Sequence, residues 1–270
     1  MSWRRYERSE ESSSSGEDRV RRQWNDAAEP WVDFVRKGKD YYREGLNNPA
    51  AFELIGNVTG LTVLDLACGE GYNTRMLARK GAKVIGIDFS EKMIKFAKQE
   101  EEKEELGIRY GVMNASDLHE FSNNEFDLVT CFMSLQDIQD FRKTISEVAG
   151  VLKYGGRFVF SLPHPCTKMI RLHKPEGEKM RAIEKYFRTM QYDIEWNMER
   201  LTKPFRTTSF HRTLTDYFDA LHESRLVVAR LVEPRPTQNA LQKHPELRDV
   251  LEIPQSVVFE SVKTGTRSSL

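Results

Sequence analysis

The chain has 270 residues, with 41 Lys and Arg against 41 Asp and Glu and a formal net charge of zero. No global field therefore draws it to nucleic acid or to an anionic membrane surface, and no apolar run approaches the ~20 residues that span a bilayer. Three cysteines, Cys68, Cys131 and Cys166, follow no metal-ligand spacing, and the first residues lack the apolar core of an export signal; no metal, reduced thiols and a cytoplasmic location are expected.

Residues 1–19 are charged and serine-rich and are expected to form a disordered tail. Residues 20–56 carry Trp24, Trp31, Phe34, Tyr41, Tyr42 and Phe52 in a mostly helical segment interrupted by Pro30, Gly38, Gly45 and Pro49, which reads as a cap over a ligand cleft. Val63 to Leu66 is an apolar run of strand length, Gly69 and Gly71 turn the chain, and Asn73 to Lys80 is helical and closed by Gly81. The second strand runs from Lys83 to Ile87 with Asp88 at its end, and Ser90 caps a helix from Glu91. Ile108 to Met113 and Phe126 to Phe132 are the third and fourth strands. Asp140 opens a helix through Leu152, and the fifth strand, Arg157 to Leu162, follows a turn at Gly155 and Gly156. Cys166 to Ser209 interrupts the rhythm with charged helix and the strand-like stretch Tyr192 to Trp196. A helix (Thr213 to Arg225), a strand (Leu226 to Glu233), a loop to Pro254 and a last strand (Ser256 to Lys263) complete the order. Such alternation implies a parallel sheet with right-handed crossovers. The domains expected are a 20–56 cap, a 57–165 core, a 166–211 lid and a 212–263 return to the core, with a polar tail at 264–270.

The chemistry gathers at the first two strands. A strand, a glycine turn and a helix N-terminus present free amide donors to a polar or anionic ligand. Asp88 is placed to accept from the two hydroxyls of a ribose. A dinucleotide site requires G-x-G-x-x-G, and no third glycine follows Gly71. The pattern is D-x-A-x-G-x-G, from Asp65 through Ala67 and Gly69 to Gly71. It resembles motif I of the class I S-adenosylmethionine-dependent methyltransferases, with Ala67 at a position where that family usually has glycine. F-S-E-K-M-I after Asp88, completed by Ala97, F-D-L-V-T-C and V-L-K-Y-G-G-R-F-V-F are similar to the family's later blocks, in order, over residues 57–162.

The resemblance implies an α/β, Rossmann-like sheet of seven mostly parallel strands, the last antiparallel, with helices on both faces. It also implies S-adenosyl-L-methionine as cofactor and S-adenosyl-L-homocysteine as product. By position, Asp65, Ala67, Gly69 and Gly71 shape the turn under the methionine moiety. Asp88 holds the ribose, Phe89 and Met93 lie beside the adenine, and Phe132 stands at the sulfonium side. The acid that commonly accepts from the adenine amino group is replaced by Asn114 with Ala115, or its role passes to Asp117.

An acceptor that starts protonated needs a base, and His164, after the fifth strand, and His211 are the candidates. Tyr42, Tyr72, Gln136 and Trp196 are expected to line the acceptor pocket. The methionines and aromatic residues of the lid suit a small apolar or aromatic acceptor, and neither a nucleic-acid nor a membrane partner is expected. An RNA or protein methyltransferase, or a cofactor-binding module without turnover, remain the other readings. The acceptor atom and the oligomeric state are not encoded in any motif.

Overall fold

The computed structural model describes residues 5–7, 13–168, 170–173, 180–183, 185–197 and 201–265. Nine of its strands, in chain order, are β1 (Thr62–Leu66), β2 (Lys83–Asp88), β3 (Arg109–Val112), β4 (Phe126–Phe132), β5 (Leu152–Pro163), β6 (Met190–Trp196), β7 (Phe205–His211), β8 (Leu226–Val232) and β9 (Ser256–Lys263). Seven of them form one sheet in the order β8-β9-β5-β4-β1-β2-β3. Every pairing is parallel except those of β9, the last strand, with β5 and β8.

Alternation along the strands divides the core into two layers. Leu64, Leu66, Ile85 and Ile87 point to one face, where they meet Ile145, Val148 and Leu221. Val63, Val84 and Leu128 point to the other, against Ile55, Leu77, Ile94 and Ala97. Helices α1 (Ser13–Arg36), α2 (Asn48–Ile55), α3 (Tyr72–Arg79), α4 (Glu91–Glu104), α5 (Phe141–Val151), α6 (Leu214–Glu223) and α7 (Gln238–Lys243) surround the sheet. Their starts are set by side chains. Ser90 accepts from the Met93 N–H and Asp140 from the Lys143 N–H, and Thr213 forms a reciprocal capping box with Asp216.

Four expectations are corrected. Helix α1 begins at Ser13, inside the segment read as a tail, and runs through Pro30 unbroken. The reason is tertiary: the Arg19 guanidinium pairs with Asp193 of β6 and donates to the Thr208 hydroxyl of β7 at 3.1 Å. Gly45 does not interrupt the cap. It lies in a π-turn (Arg43–Asn47), where a Cβ would come within 2.6 Å of Leu247. Gly155 and Gly156 form a bulge inside β5 rather than a turn before it, since Phe126 pairs with Leu152 but Leu128 with Arg157. The loop leading to Pro254 contains α7 and a 3-10 turn over Pro245–Val250 that pack on Tyr41 and Leu46.

The insertion is mostly strand. β6 and β7 pair antiparallel, and the segment Arg5–Glu7 joins β6 on its other edge. A hairpin of Ile170–His173 with Met180–Ile183 precedes them. Of the charged helix expected here, the described residues contain only the short turn Pro165–Lys168; Met169 and residues 174–179, 184 and 198–200 lie outside them. Trp196 stacks on Phe205 at 5.6 Å, and Trp31 of α1 meets Trp196 edge-on at 5.4 Å. The N-terminal helix and the insertion therefore close over the sheet as one cap. No described helix is long and apolar enough to cross a membrane.

Candidate active site

The turn after β1 is held from below by a buried carboxylate. Asp65 accepts 2.7 Å hydrogen bonds from the hydroxyls of Thr74, on α3, and Thr130, on β4. Burial pushes its pKa up to about 6 against the pull of those two hydroxyls. Above it, Ala67, Gly69 and Gly71 all adopt left-handed backbone, with φ of 49°, 58° and 81°. Ala67 carries a Cβ in that region at a cost of ~1 kcal/mol, so the missing glycine of the motif is a source of local strain.

The two glycines are required for different reasons. A Cβ on Gly69 would have no atom within 4 Å, so the turn leaves open space above it. A Cβ on Gly71 would fall 2.4 Å from the Tyr110 hydroxyl. Gly71→Ala is therefore expected to lower the melting temperature by several degrees more than Gly69→Ala, whereas Gly69→Ala acts chiefly on ligand affinity. Thermal melts with and without S-adenosylhomocysteine separate the two, and equal melting points would refute the assignment.

A second buried pair shapes the same turn. Arg75 of α3 donates to the Glu70 carbonyl at 2.6 Å and to its carboxylate at 2.8 Å, and both side chains are enclosed. Asp88, at the end of β2, accepts from the Gly69 N–H at 2.9 Å and the Ser90 N–H at 2.8 Å, one on each oxygen. A second lone pair on each oxygen stays available to a ligand. Burial raises the Asp88 carboxyl to about 6, although both N–H donors oppose it.

Asp88 opens onto a cleft that is partly open to solvent. Four other expected cofactor residues, Ala67, Phe89, Asn114 and Ala115, line it as well. The loop after β4 contributes Asp137, Ile138 and Gln139 to the lining, and no motif marked the last two. Nor did any sequence signal mark the roof, Glu17 and Val20 of α1, which lie in or beside the stretch read as a tail. The loop over 135–139 is pinned by Arg212, whose buried guanidinium donates to the carbonyls of Leu135, Ile138 and Gln139 and sits 4.1 Å from the Phe141 ring.

The other expected site residues do not line this cleft. Met93 packs against Ala28 and Val32 of α1, because its helix position faces the cap. Phe132 stacks on Phe52 of α2 at 5.8 Å. Tyr42 tilts against Tyr41 and the Leu46 cluster, and Gln136 turns its amide donor to the Met133 carbonyl of its own loop at 2.6 Å. Tyr72 lies under the Arg43 guanidinium at 5.1 Å, which also covers Trp31; Trp196 donates to Thr207. Asp117 faces solvent and bonds His119 at 2.7 Å, so that of these two candidates only Asn114 lines the cleft.

Neither histidine lines the cleft. His164 is enclosed, and its Nδ1 accepts from the Cys166 N–H, so the ring proton sits on Nε2, 3.1 Å from Glu233. Burial lowers its pKa against the pull of Glu233. The Nε2 of His211 donates to the Tyr186 carbonyl at 2.7 Å. Both rings tie loops together. Burial also pushes the Cys68 thiol well above its ordinary value, which fits a small core residue rather than a nucleophile.

Residues 64–160 match the family described as a methyltransferase domain. An uncharacterized protein of Haemophilus influenzae is 29% identical over 230 residues, 82% of this chain and 88% of that one. The ubiquinone biosynthesis O-methyltransferase of Coxiella burnetii is 33% identical over 141 residues, which make up 51% of this chain and 58% of that enzyme. A solved S-adenosylmethionine-dependent methyltransferase from Mesorhizobium loti superposes with a TM-score of 0.67 at 27% identity, covering 79% of this chain and 96% of its own. Strand order, the turn after β1 and these likenesses converge: residues 64–160 form a methyltransferase domain, and the chain resembles solved S-adenosylmethionine-dependent methyltransferases over most of its length.

Proposed function

We propose that the enzyme methylates a small apolar or aromatic acceptor enclosed beneath the cap of α1, β6 and β7. The observation that carries this reading is the aromatic wall beside the glycine turn. Tyr72 directly follows Gly71, Arg43 bridges it to Trp31, and Trp31 continues into Trp196 and Phe205. Such a wall suits a flat or greasy molecule better than a nucleic acid backbone, and the chain has no net positive charge to favour RNA.

The residues fit the cofactor. Gly69 leaves a cradle that a side chain would fill, Asp88 offers two acceptor oxygens to a ribose, and Phe89, Ala115 and Ile138 supply apolar walls for a base. When bound, S-adenosylmethionine supplies a methyl group already attached to a sulfonium leaving group, so the transfer is a direct in-line displacement. The protein then contributes mainly alignment and exclusion of water. Asp65, the Glu70–Arg75 pair and Arg212 hold the turn and the 135–139 loop in register for that task.

Incubation with labelled cofactor and three acceptor classes tests the reading, with S-adenosylhomocysteine release as readout. Turnover with low-molecular-weight phenols, quinols or other apolar acceptors is expected. Label transferred to RNA or protein would overturn it, as would cofactor binding with no turnover on any class.

A further inference from the structure

The position after β3, where an acid would accept from the adenine amino group, holds Asn114, and its amide is oriented by its neighbours. Oδ1 takes both the N–H and the hydroxyl of Ser116, each at 3.0 Å. The amide oxygen is thus turned inward, contrary to the expectation that it would accept from the ligand. The NH2 group faces the opposite way and donates to Glu17 Oε2 at 3.2 Å. Glu17 comes from the first turns of α1, 97 positions away in the chain, and lines the same cleft as Asp88, Phe89 and Ala115.

Glu17 is not a dangling side chain. Its helix turn sits so close to the cleft wall that a Cβ on Gly16 would fall 2.1 Å from Gln139 Oε1. Two residues on, Arg19 is tied to Asp193 and Thr208. An acceptor carboxylate and an amide donor are therefore held side by side at the end of the cleft. The outer edge of adenine presents the matching pair, the N6 amino donor next to the N1 acceptor. Hypoxanthine presents the reverse pair, an O6 acceptor next to an N1–H donor.

We propose that Glu17, supplied by the N-terminal helix, reads the adenine of the cofactor together with Asn114, accepting from N6 while Asn114 donates to N1. The inference rests on the reading that this cleft holds the adenosine, with Asp88 on the ribose. Glu17 thereby takes over the acceptor role that Asn114 has turned inward.

The test is calorimetric titration of the full chain with S-adenosylhomocysteine and with its analogue in which hypoxanthine replaces adenine. The unmodified enzyme is expected to prefer adenine by roughly 30-fold. Glu17→Ala should lose about tenfold in adenine affinity and little for hypoxanthine, reducing the preference to a few-fold. Glu17→Gln keeps the size and helix preference of the residue and can turn its NH2 to O6, so it should shift the preference toward hypoxanthine even if Glu17→Ala folds poorly. An unaltered preference in both variants would overturn the proposal, and so would an equal loss for both ligands, which would make Glu17 only a seat for the helix. A different failure would sink the underlying reading: no binding of S-adenosylhomocysteine by the unmodified enzyme, or binding indifferent to Asp88→Ala.

Discussion

Asp88→Ala is expected to weaken S-adenosylhomocysteine binding by roughly 100-fold, the largest loss of affinity for any single substitution in the cleft. Two hydrogen bonds to a charged acceptor, at about 1.5 kcal/mol each, account for that figure. The substitution also leaves the N–H groups of Gly69 and Ser90 without their acceptor, so the turn itself loosens. The pH dependence isolates the ligand contribution. The Asp88 carboxyl titrates at about 6 in the fold, and only its ionised form accepts from both ribose hydroxyls. Affinity should therefore rise as pH increases from 5 to 7 with a midpoint near 6, and Asp88→Ala should remove that rise.

Stability moves in the opposite sense. Asp65 and Asp88 are both raised above their ordinary 3.8 to about 6. The stabilisation linked to each is complete below 3.8 and is lost as pH rises through 6, about 1 kcal/mol per group between pH 5 and 7. The free enzyme should melt lower at pH 7 than these two groups allow at pH 5, while saturating ligand should raise the melting point more at pH 7 than at pH 5. A binding constant flat across that range would refute the role given to Asp88.

The parts of the fold legible in the sequence are those fixed by local pattern. β1, β2 and β4 are apolar runs because both faces of a parallel sheet are covered, and Ser90, Asp140 and Thr213 announce their helices by capping chemistry. Asp88, Phe89, Asn114 and Ala115 could be placed because they follow strand ends, where any such sheet collects its ligand. What escaped depends on distant partners. Ser13 to Arg19 has no apolar period, and its helix is secured by Asp193, 174 positions from Arg19. The sequence puts His164 at the carboxyl edge of the sheet but carries no sign that Cys166 and Glu233 occupy its two nitrogens. The side of Asn114 that faces the cleft is likewise decided by Ser116 and not by Asn114 itself.

The largest loss of stability is expected from Arg75→Met. Glu70 is 3% exposed and Arg75 6%, and the guanidinium donates to the Glu70 carbonyl and to Oε2 of its carboxylate within the turn that precedes α3. Removing the guanidinium leaves a buried carboxylate whose nearest remaining cation is Arg36, 3.9 Å away. Breaking such a pair costs about 3–5 kcal/mol, because desolvation of the surviving charge is no longer offset. The urea midpoint should fall accordingly, and ligand affinity should fall with it, since Gly71 lies between the two partners. Replacing both charges, as Glu70→Leu with Arg75→Met, removes the stranded carboxylate as well as its partner. The double variant should therefore recover most of the lost stability, with a coupling of about 2 kcal/mol or more in the thermodynamic cycle. Additive losses, with coupling below about 0.5 kcal/mol, would show that the turn is held by its glycines and by Asp65 alone.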